Sequence, residues 1–180
     1  MHVVGISGSL QAKSTTAAVL AAIGELVVTS ELAAGPPTFE RANGLAELPH
    51  FNPDLDVEPL PSTVAAWRAT LGAADAVVIA TPEYAHSFPG ALKDALDWIV
   101  GSGDLYEKPI LLVTASGSGG VLAGKGLLPF LEVLTSKVVG PVSIWGVTPK
   151  VTDGHFADTT DVAALRLAVD DLLALVESTA

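Results

Sequence analysis

Continuous apolar runs alternate along the chain with segments in which apolar residues recur at helical spacing. The runs at residues 3–7, 76–81 and 110–115 show no alternation between apolar and polar positions. Such runs are typical of strands that are covered on both faces of a sheet. We therefore predict three buried strands there, a further strand within residues 138–147 and a short edge strand near residues 38–41.

Helical periodicity predicts five helices between and after these strands. Residues 14–28 begin with a serine, which suits a helix N-cap, and residues 61–71 begin with a proline, which is favoured in the first helical turn. Residues 89–100, 121–135 and 161–176 complete the set, the last as an amphipathic helix that closes the chain. The order of these segments is a repeated alternation of strand and helix.

This alternation predicts an α/β fold with a parallel sheet and helices on both faces. The proline-rich region 33–61 is predicted to be mostly loop, and no repeat or linker divides the chain. We therefore expect residues 1–180 to form a single domain. Because ligands of such sheets bind outside the carboxyl ends of the strands, the loops that follow the strands are the candidate functional site.

Composition and charge narrow the classes of function. Apolar residues make up 49% of the 180 residues, charged residues make up 16%, and the mean hydropathy is +0.50, which argues against a disordered protein. Cysteine is absent, which excludes disulfides and thiol nucleophiles. The net charge of -11 argues against binding to nucleic acid or to anionic membranes. We expect a cytoplasmic protein, because no signal-peptide pattern precedes the first strand.

The loop after the first strand, residues 7–16, combines small hydroxyl residues with the start of a helix. Backbone amides and hydroxyls in this arrangement suit a phosphate group. A P-loop aligned on Lys13 and Ser14 would need glycine where the chain has Ser7 and Ala12, so that nucleotide motif is absent. An ordinary serine-capped helix is the other interpretation of these residues.

The loop after the third strand, residues 81–90, carries two prolines and a tyrosine, an arrangement that suits a planar heterocycle. For Tyr84 the simpler interpretation is packing, and for Glu83 it is a solvated charge. His86 has no second histidine or carboxylate at ligand spacing, so a metal site is not expected.

The loop after the fourth strand, residues 116–120, has three glycines in five residues, which allow a close approach of the backbone to a ligand. Gly119 to Lys125 also matches most of a P-loop. Gly126 then stands where that motif needs serine or threonine, so we do not expect a P-loop here.

Together these loops resemble the NADPH-dependent FMN reductase family, which has a flavodoxin-like fold and includes flavin, quinone, azo-dye and chromate reductases. The resemblance covers most of the chain and is strongest from residue 82 to residue 98. The residues that carry it are Pro82, Glu83, Tyr84, His86, Ser87, Pro89, Gly90, Leu92, Lys93, Ala95, Asp97 and Trp98, with Gly5–Leu10 and Ser14 at the start and Ser116, Gly119 and Gly120 in the third loop.

The resemblance implies a three-layer fold, a five-stranded parallel sheet of order 2-1-3-4-5, and FMN bound at its switch point. It also implies an oxidoreductase that passes hydride from NADPH or NADH through FMN to a small acceptor. That acceptor would be a flavin, quinone, azo compound or metal oxyanion, and the assembly would be a homodimer or homotetramer. No side chain is obligatory for catalysis. The implied cofactor-binding residues are Ser9, Gln11, Ser14, Thr15 and Thr16 toward the phosphate, and Pro82, Glu83, Tyr84, Ala85, Ser116, Gly117, Ser118 and Gly119 toward the ring.

The chain departs from the family pattern at Gln11, where arginine is usual, and at Ala85, where asparagine is usual. These departures motivate an alternative, a degenerate flavin-binding or electron-carrier protein without steady NAD(P)H turnover. A third interpretation is a small phosphate-binding or NTP-binding enzyme that uses the loop from Gly119 to Lys125. The residues leave open the physiological acceptor and the choice between NADH and NADPH.

Overall fold

The computed structural model describes residues 1–31, 35–135 and 137–178, so the first two residues of the predicted loop 33–61 lie outside the described part. Each predicted strand and helix is present, and two short strands precede the last helix. The strands are β1 (His2–Ser7), β2 (Thr38–Arg41), β3 (Ala76–Thr81), β4 (Ile110–Ser116), β5 (Val138–Trp145), β6 (Val151–Thr152) and β7 (His155–Phe156). The α-helices are α1 (Thr15–Val28), α2 (Ser62–Gly72), α3 (Gly90–Val100), α4 (Val121–Leu134) and α5 (Thr159–Glu177).

Five strands form one parallel sheet in the order β2-β1-β3-β4-β5. In its centre, β1 and β3 pair so that Val4 lies opposite Val77 and Ile6 lies opposite Ile79. The connections change direction between β1 and β3, which makes the carboxyl end of this strand pair the switch point where a crevice opens. The predicted fold class and strand order are confirmed.

Helices cover both faces of the sheet, as the apolar runs predict. Val78 and Ala80 of β3 pack with α1 and α5, whereas Val77 and Ile79 pack with α2, α3 and α4. Every residue of β3 is completely buried. Each large apolar side chain buried in this way contributes about 1.5–3 kcal/mol to stability, so the two cores hold the switch point rigidly.

Helix starts follow the polar residues that precede them. Ser14 is the predicted N-cap of α1, and its Oγ accepts a hydrogen bond from the amide of Ala17 at 3.1 Å. Helix α5 begins at Thr159, before the predicted residue 161, because Asp158 accepts hydrogen bonds from the amides of Thr160 and Asp161. No helix in the described ranges has the length and hydropathy needed to cross a bilayer.

The hairpin of β6 and β7 is the element that the hydrophobic pattern does not predict. Its turn is Asp153-Gly154, with φ values of +50° and +80°, and Asp-Gly is a favoured hairpin turn. Phe156 of β7 is buried in the core of α1 and α5. Lys150, just before the hairpin, lies 2.6 Å from Asp161 and thereby links the hairpin to the start of α5.

Candidate functional site

The loop after β1 is held in a fixed path at the carboxyl edge of the sheet. The amide of Gly8 donates to the carbonyl of Ala80 at 2.8 Å, which anchors the loop to β3. Ser9 is buried, and its Oγ accepts a hydrogen bond from the amide of Gln11 at 3.3 Å. The loop therefore turns tightly before it enters α1.

The start of α1 offers donors to an anion. The first amides of a helix have no acceptor within the helix, and the positive end of the helix dipole lies there. The side chain of Ser14 accepts from the amide of Ala17, so the amides of Thr15 and Thr16 have no acceptor within the helix. The hydroxyl of Thr16 is buried beside them. This donor set of amides and hydroxyls matches a phosphate group.

The loop after β3 reverses direction at Ala85 and His86. The amide of Tyr84 donates to the carbonyl of Ser87 at 2.8 Å, and the amide of Ser87 donates back at 3.0 Å. Ala85 and His86 have φ values of +49° and +63°, as in a type I′ turn, a conformation that favours glycine and asparagine. The turn leaves Tyr84 about half exposed, with its hydroxyl 3.4 Å from Ser9 Oγ.

Glu83 joins the second loop to the third. Its Oε2 accepts hydrogen bonds from the amides of Leu122 and Ala123 at 2.9 and 3.1 Å, and its Oε1 accepts from the Ser118 hydroxyl at 3.0 Å. The hydrogen bond from Ala123 is the main cause that lowers the pKa of Glu83 below its ordinary value. The bonds from Ser118 and Leu122 and the nearby His86 lower it further, against the opposing effect of burial. Its side chain is thus committed to α4, where a carboxylate also complements the helix dipole.

The glycines of the third loop differ in what they approach. A Cβ on Gly119, where φ is +74°, would lie 2.4 Å from the ring of Trp145, and a Cβ on Gly120 would lie 2.7 Å from Thr114. A Cβ on Gly117 would meet nothing within 4 Å. That the backbone of this loop approaches a ligand stays a prediction. Gly119 and Gly120 accommodate the protein's own side chains, and Gly117 is the one that faces open space.

The three loops converge on one cavity of about 200 Å³ at the switch point. It brings together ten of the thirteen predicted site residues, and Ala85, Ser118 and Gly119 stand outside its lining. The ten are Ser9, Gln11, Ser14, Thr15, Thr16, Pro82, Glu83, Tyr84, Ser116 and Gly117.

Three further lining residues were not predicted from the sequence. Ala115 ends the apolar run of β4, and Val147 and Thr148 follow β5. The rule that ligands bind after the strands applies to the fifth strand as well, so that rule would have found Thr148, whereas Val147 lies within the range 138–147 predicted to hold the strand.

The interpretation of residues 119–125 as a nucleotide-binding loop does not fit the structure. A phosphate there would need the first amides of α4, and Glu83 already takes those of Leu122 and Ala123. A bound carboxylate in this place repels a second anion. In the described part of the chain, moreover, no group of three or more histidine, aspartate or glutamate side chains is placed to hold a metal ion.

Comparison with known proteins agrees with this geometry. A family model described as NADPH-dependent FMN reductase matches residues 1–148. A quinone reductase of Escherichia coli strain K12 is 33% identical over 143 residues, which cover 74% of this chain and 74% of that protein. An NAD(P)H-dependent FMN reductase of Pseudomonas aeruginosa is 39% identical over 100 residues, which cover 54% of this chain and 49% of that protein.

Among solved structures, the flavoenzyme NAD(P)H:(acceptor) oxidoreductase FerB of Paracoccus denitrificans matches with a TM-score of 0.80 at 26% identity. The match covers 98% of this chain and 97% of that one. The resemblance found in the loops is thus confirmed by the whole fold and by the sequence of most of the chain. The chain belongs to the NADPH-dependent FMN reductase family, a family of oxidoreductases that use FMN and a nicotinamide dinucleotide.

Proposed function

We propose that the protein is an NAD(P)H-dependent reductase that holds FMN between its three loops and passes electrons to a small acceptor. The observation that carries this proposal is the convergence of ten implied cofactor-binding residues on one cavity at the switch point. The names of two relatives, quinone reductase and NAD(P)H-dependent FMN reductase, support the same class of reaction.

The residues present fit FMN by the chemistry of their donors. The amides at the start of α1 and the hydroxyls of Ser9, Ser14, Thr15 and Thr16 suit the phosphate. At the other end of the cavity, Pro82 and Tyr84 offer flat, largely apolar surfaces, and Gly117 leaves space beside the third loop. These features suit a planar ring system with polar edges.

FMN held by these residues would supply the hydride chemistry by which two electrons pass from NAD(P)H to the acceptor. The protein's own residues bind the cofactor and orient it. The hydrogen bonds of Glu83 to α4 hold the second and third loops at a fixed separation. The amide of Gly119 donates to the carbonyl of Ser116 at 3.3 Å, so we propose that the amides of Gly117 and Ser118 stabilise negative charge at the edge of a ring. We assign no side chain as nucleophile or general base.

The acceptor is proposed to be a flavin, quinone, azo compound or metal oxyanion, with either NADPH or NADH as donor. The half-exposed ring of Tyr84 at the mouth of the cavity gives an incoming aromatic acceptor a surface on which to stack. Because donor and acceptor would use the same open face in turn, we expect ping-pong kinetics.

The visible absorption spectrum tests this proposal. Protein reconstituted with FMN should stay yellow after gel filtration and should bleach within seconds when NADPH or NADH is added without oxygen. Adding a quinone should then restore the colour. Yellow protein that neither nucleotide bleaches would instead support the electron-carrier alternative, which Gln11 and Ala85 motivate. Protein that does not retain FMN would contradict both.

We further propose a cytoplasmic homodimer or homotetramer. Four large apolar side chains near the site are about half exposed, namely Leu10, Tyr84, Leu122 and Trp145. Covering them by a second copy would remove apolar area from water and shield the cavity mouth. Sedimentation equilibrium with and without FMN tests the assembly, and a monomer in both states would contradict it.

A further inference from the structure

Arg41, the last residue of β2, borders the predicted phosphate loop from outside. It lines a cavity of about 230 Å³ together with Ser9 and Gln11. It also lines a neighbouring cavity of about 620 Å³ together with Lys13 and Ser14. The loop after β1 thus has the Arg41 side chain as a neighbour along both its first and its last part.

The position of Arg41 is set by the sheet. In the parallel pairing of β1 and β2, Arg41 lies opposite Gly5, and the amide of Ala42 donates to the carbonyl of Gly5 at 2.8 Å. Arg41 therefore projects from the same carboxyl edge of the sheet at which the loop begins. It reaches this place although β2 and the loop are far apart in sequence.

Arg41 has no counter-ion among the described residues. Arg68 lies 2.7 Å from Asp56, and Lys150 lies 2.6 Å from Asp161, so these cations are already paired. Glu47 and Asp153 share the two cavities with Arg41, yet neither forms an ion pair with it. In a chain with a net charge of -11, Arg41 and Lys13 both place a positive charge beside this cluster of anion donors, and neither has an ion-pair partner among the described residues.

We propose that Arg41 supplies the guanidinium that contacts the phosphate of FMN. This inference rests on the proposed function. Apart from Lys13, the loop gives that phosphate neutral hydroxyls and amides, and position 11 is the neutral Gln11. A dianion bound to an acidic protein needs a cation close by, and a guanidinium can donate two parallel hydrogen bonds to phosphate oxygens. Lys13 adds a second positive charge beside it.

The comparison of FMN with riboflavin tests this inference, because riboflavin lacks the phosphate. Flavin-free protein is titrated with each flavin, and the dissociation constant is measured from the quenching of flavin fluorescence. In R41Q the affinity for FMN should fall about tenfold or more, whereas the affinity for riboflavin should change less than about twofold. R41K keeps the positive charge but cannot donate two parallel hydrogen bonds, so its affinity for FMN should lie between those of R41Q and the unaltered protein.

The control variant is R166Q, which removes an exposed arginine of α5 and should leave both constants unchanged. Circular dichroism verifies that the variants are folded. If R41Q is misfolded, the role of Arg41 is judged from two other measurements. A weaker affinity of R41K for FMN and a fall in FMN affinity of the unaltered protein with added salt support that role, and the absence of both opposes it. Equal losses for FMN and riboflavin, or no loss for either, would overturn the role of Arg41 alone. Failure of the unaltered protein to bind FMN would overturn the proposed function as well.

Discussion

Single residues at this site make contacts that their positions in the sequence do not predict. Glu83 directly follows a proline at the end of a buried strand, where a solvated charge is the simple interpretation. The structure instead gives its carboxylate three hydrogen bonds from residues 35 to 40 positions later in the chain. Pairing over such a distance depends on tertiary structure, so neither its spacing nor its residue type could indicate it.

Replacing Glu83 by glutamine should weaken the link between the second and third loops. Its lowered pKa means that the ionised form is favoured by folding, so its contribution is fully present above the ordinary value of 4.5 and is lost as the pH falls below it. The difference in urea midpoint between the unaltered protein and Glu83→Gln should therefore be constant near neutral pH and should shrink on acidification.

The matched control is Glu132→Gln, at an exposed position of α4. Its urea midpoint should stay close to that of the unaltered protein at every pH. A difference for Glu83→Gln that grows on acidification would show that the carboxylate does not make these hydrogen bonds in solution.

Ala85 has a backbone conformation that is unusual for alanine. Its φ of +49° is uncommon for alanine and is well tolerated by asparagine. Ala85→Asn should therefore raise the free energy of unfolding by about 0.5–1 kcal/mol. The same change at Ala66, exposed on α2, should lower it by about 0.5 kcal/mol, because asparagine is a poorer helix former. Chemical denaturation measures both values, and a loss of stability at both positions would rule out the strained turn.

At the scale of elements, the strands and helices were predicted well because burial on both faces leaves a clear signal. The runs of β3 and β4 are apolar at almost every position, and the structure buries them almost completely. The hairpin of β6 and β7 was missed because its strands have two residues each, too few for a periodic pattern. Asp153-Gly154 was the available signal, and it belongs to turn chemistry rather than to hydrophobicity.

The third loop combines predicted and unpredicted features. Its glycines indicated a backbone conformation that other residues rarely adopt, and the structure has positive φ at Gly119 and Gly120. The sequence could not show what approaches them, because Trp145 comes from β5 and Thr114 from β4. The glycine cluster is thus explained partly by packing and partly, at Gly117, by open space.

Gly119→Ala should strain this loop. The conformation at φ +74° costs about 1–2 kcal/mol for a residue with a Cβ, and the Trp145 ring must also move. We expect a loss of that size in the free energy of unfolding of flavin-free protein, with a changed tryptophan fluorescence. Gly117→Ala is the control and should change neither. Equal effects of the two substitutions would contradict the packing of Trp145 on Gly119.

For the whole molecule, the position of the switch point and the acidic net charge both affect the binding of an anionic cofactor. The sheet order brings three loops to one edge, and the net charge of -11 makes the few cations near that edge important for an anionic cofactor. The fold and the family were predictable because they depend on patterns along the chain. The contacts of Glu83 and the place of Arg41 beside the first loop were not, because each depends on which strand ends lie side by side. That residues 1–180 form one domain stays a prediction.

The central claim, that FMN lies among the three loops, is tested most directly by a crystal structure of the protein grown with FMN. The account predicts the phosphate at the start of α1, within hydrogen-bond distance of Ser9, Ser14 or the amides of Thr15 and Thr16. It also predicts the ring along Pro82–Tyr84 with an edge toward Gly117. A flavin bound elsewhere, or a structure at saturating FMN in which this cavity holds only water, would contradict it.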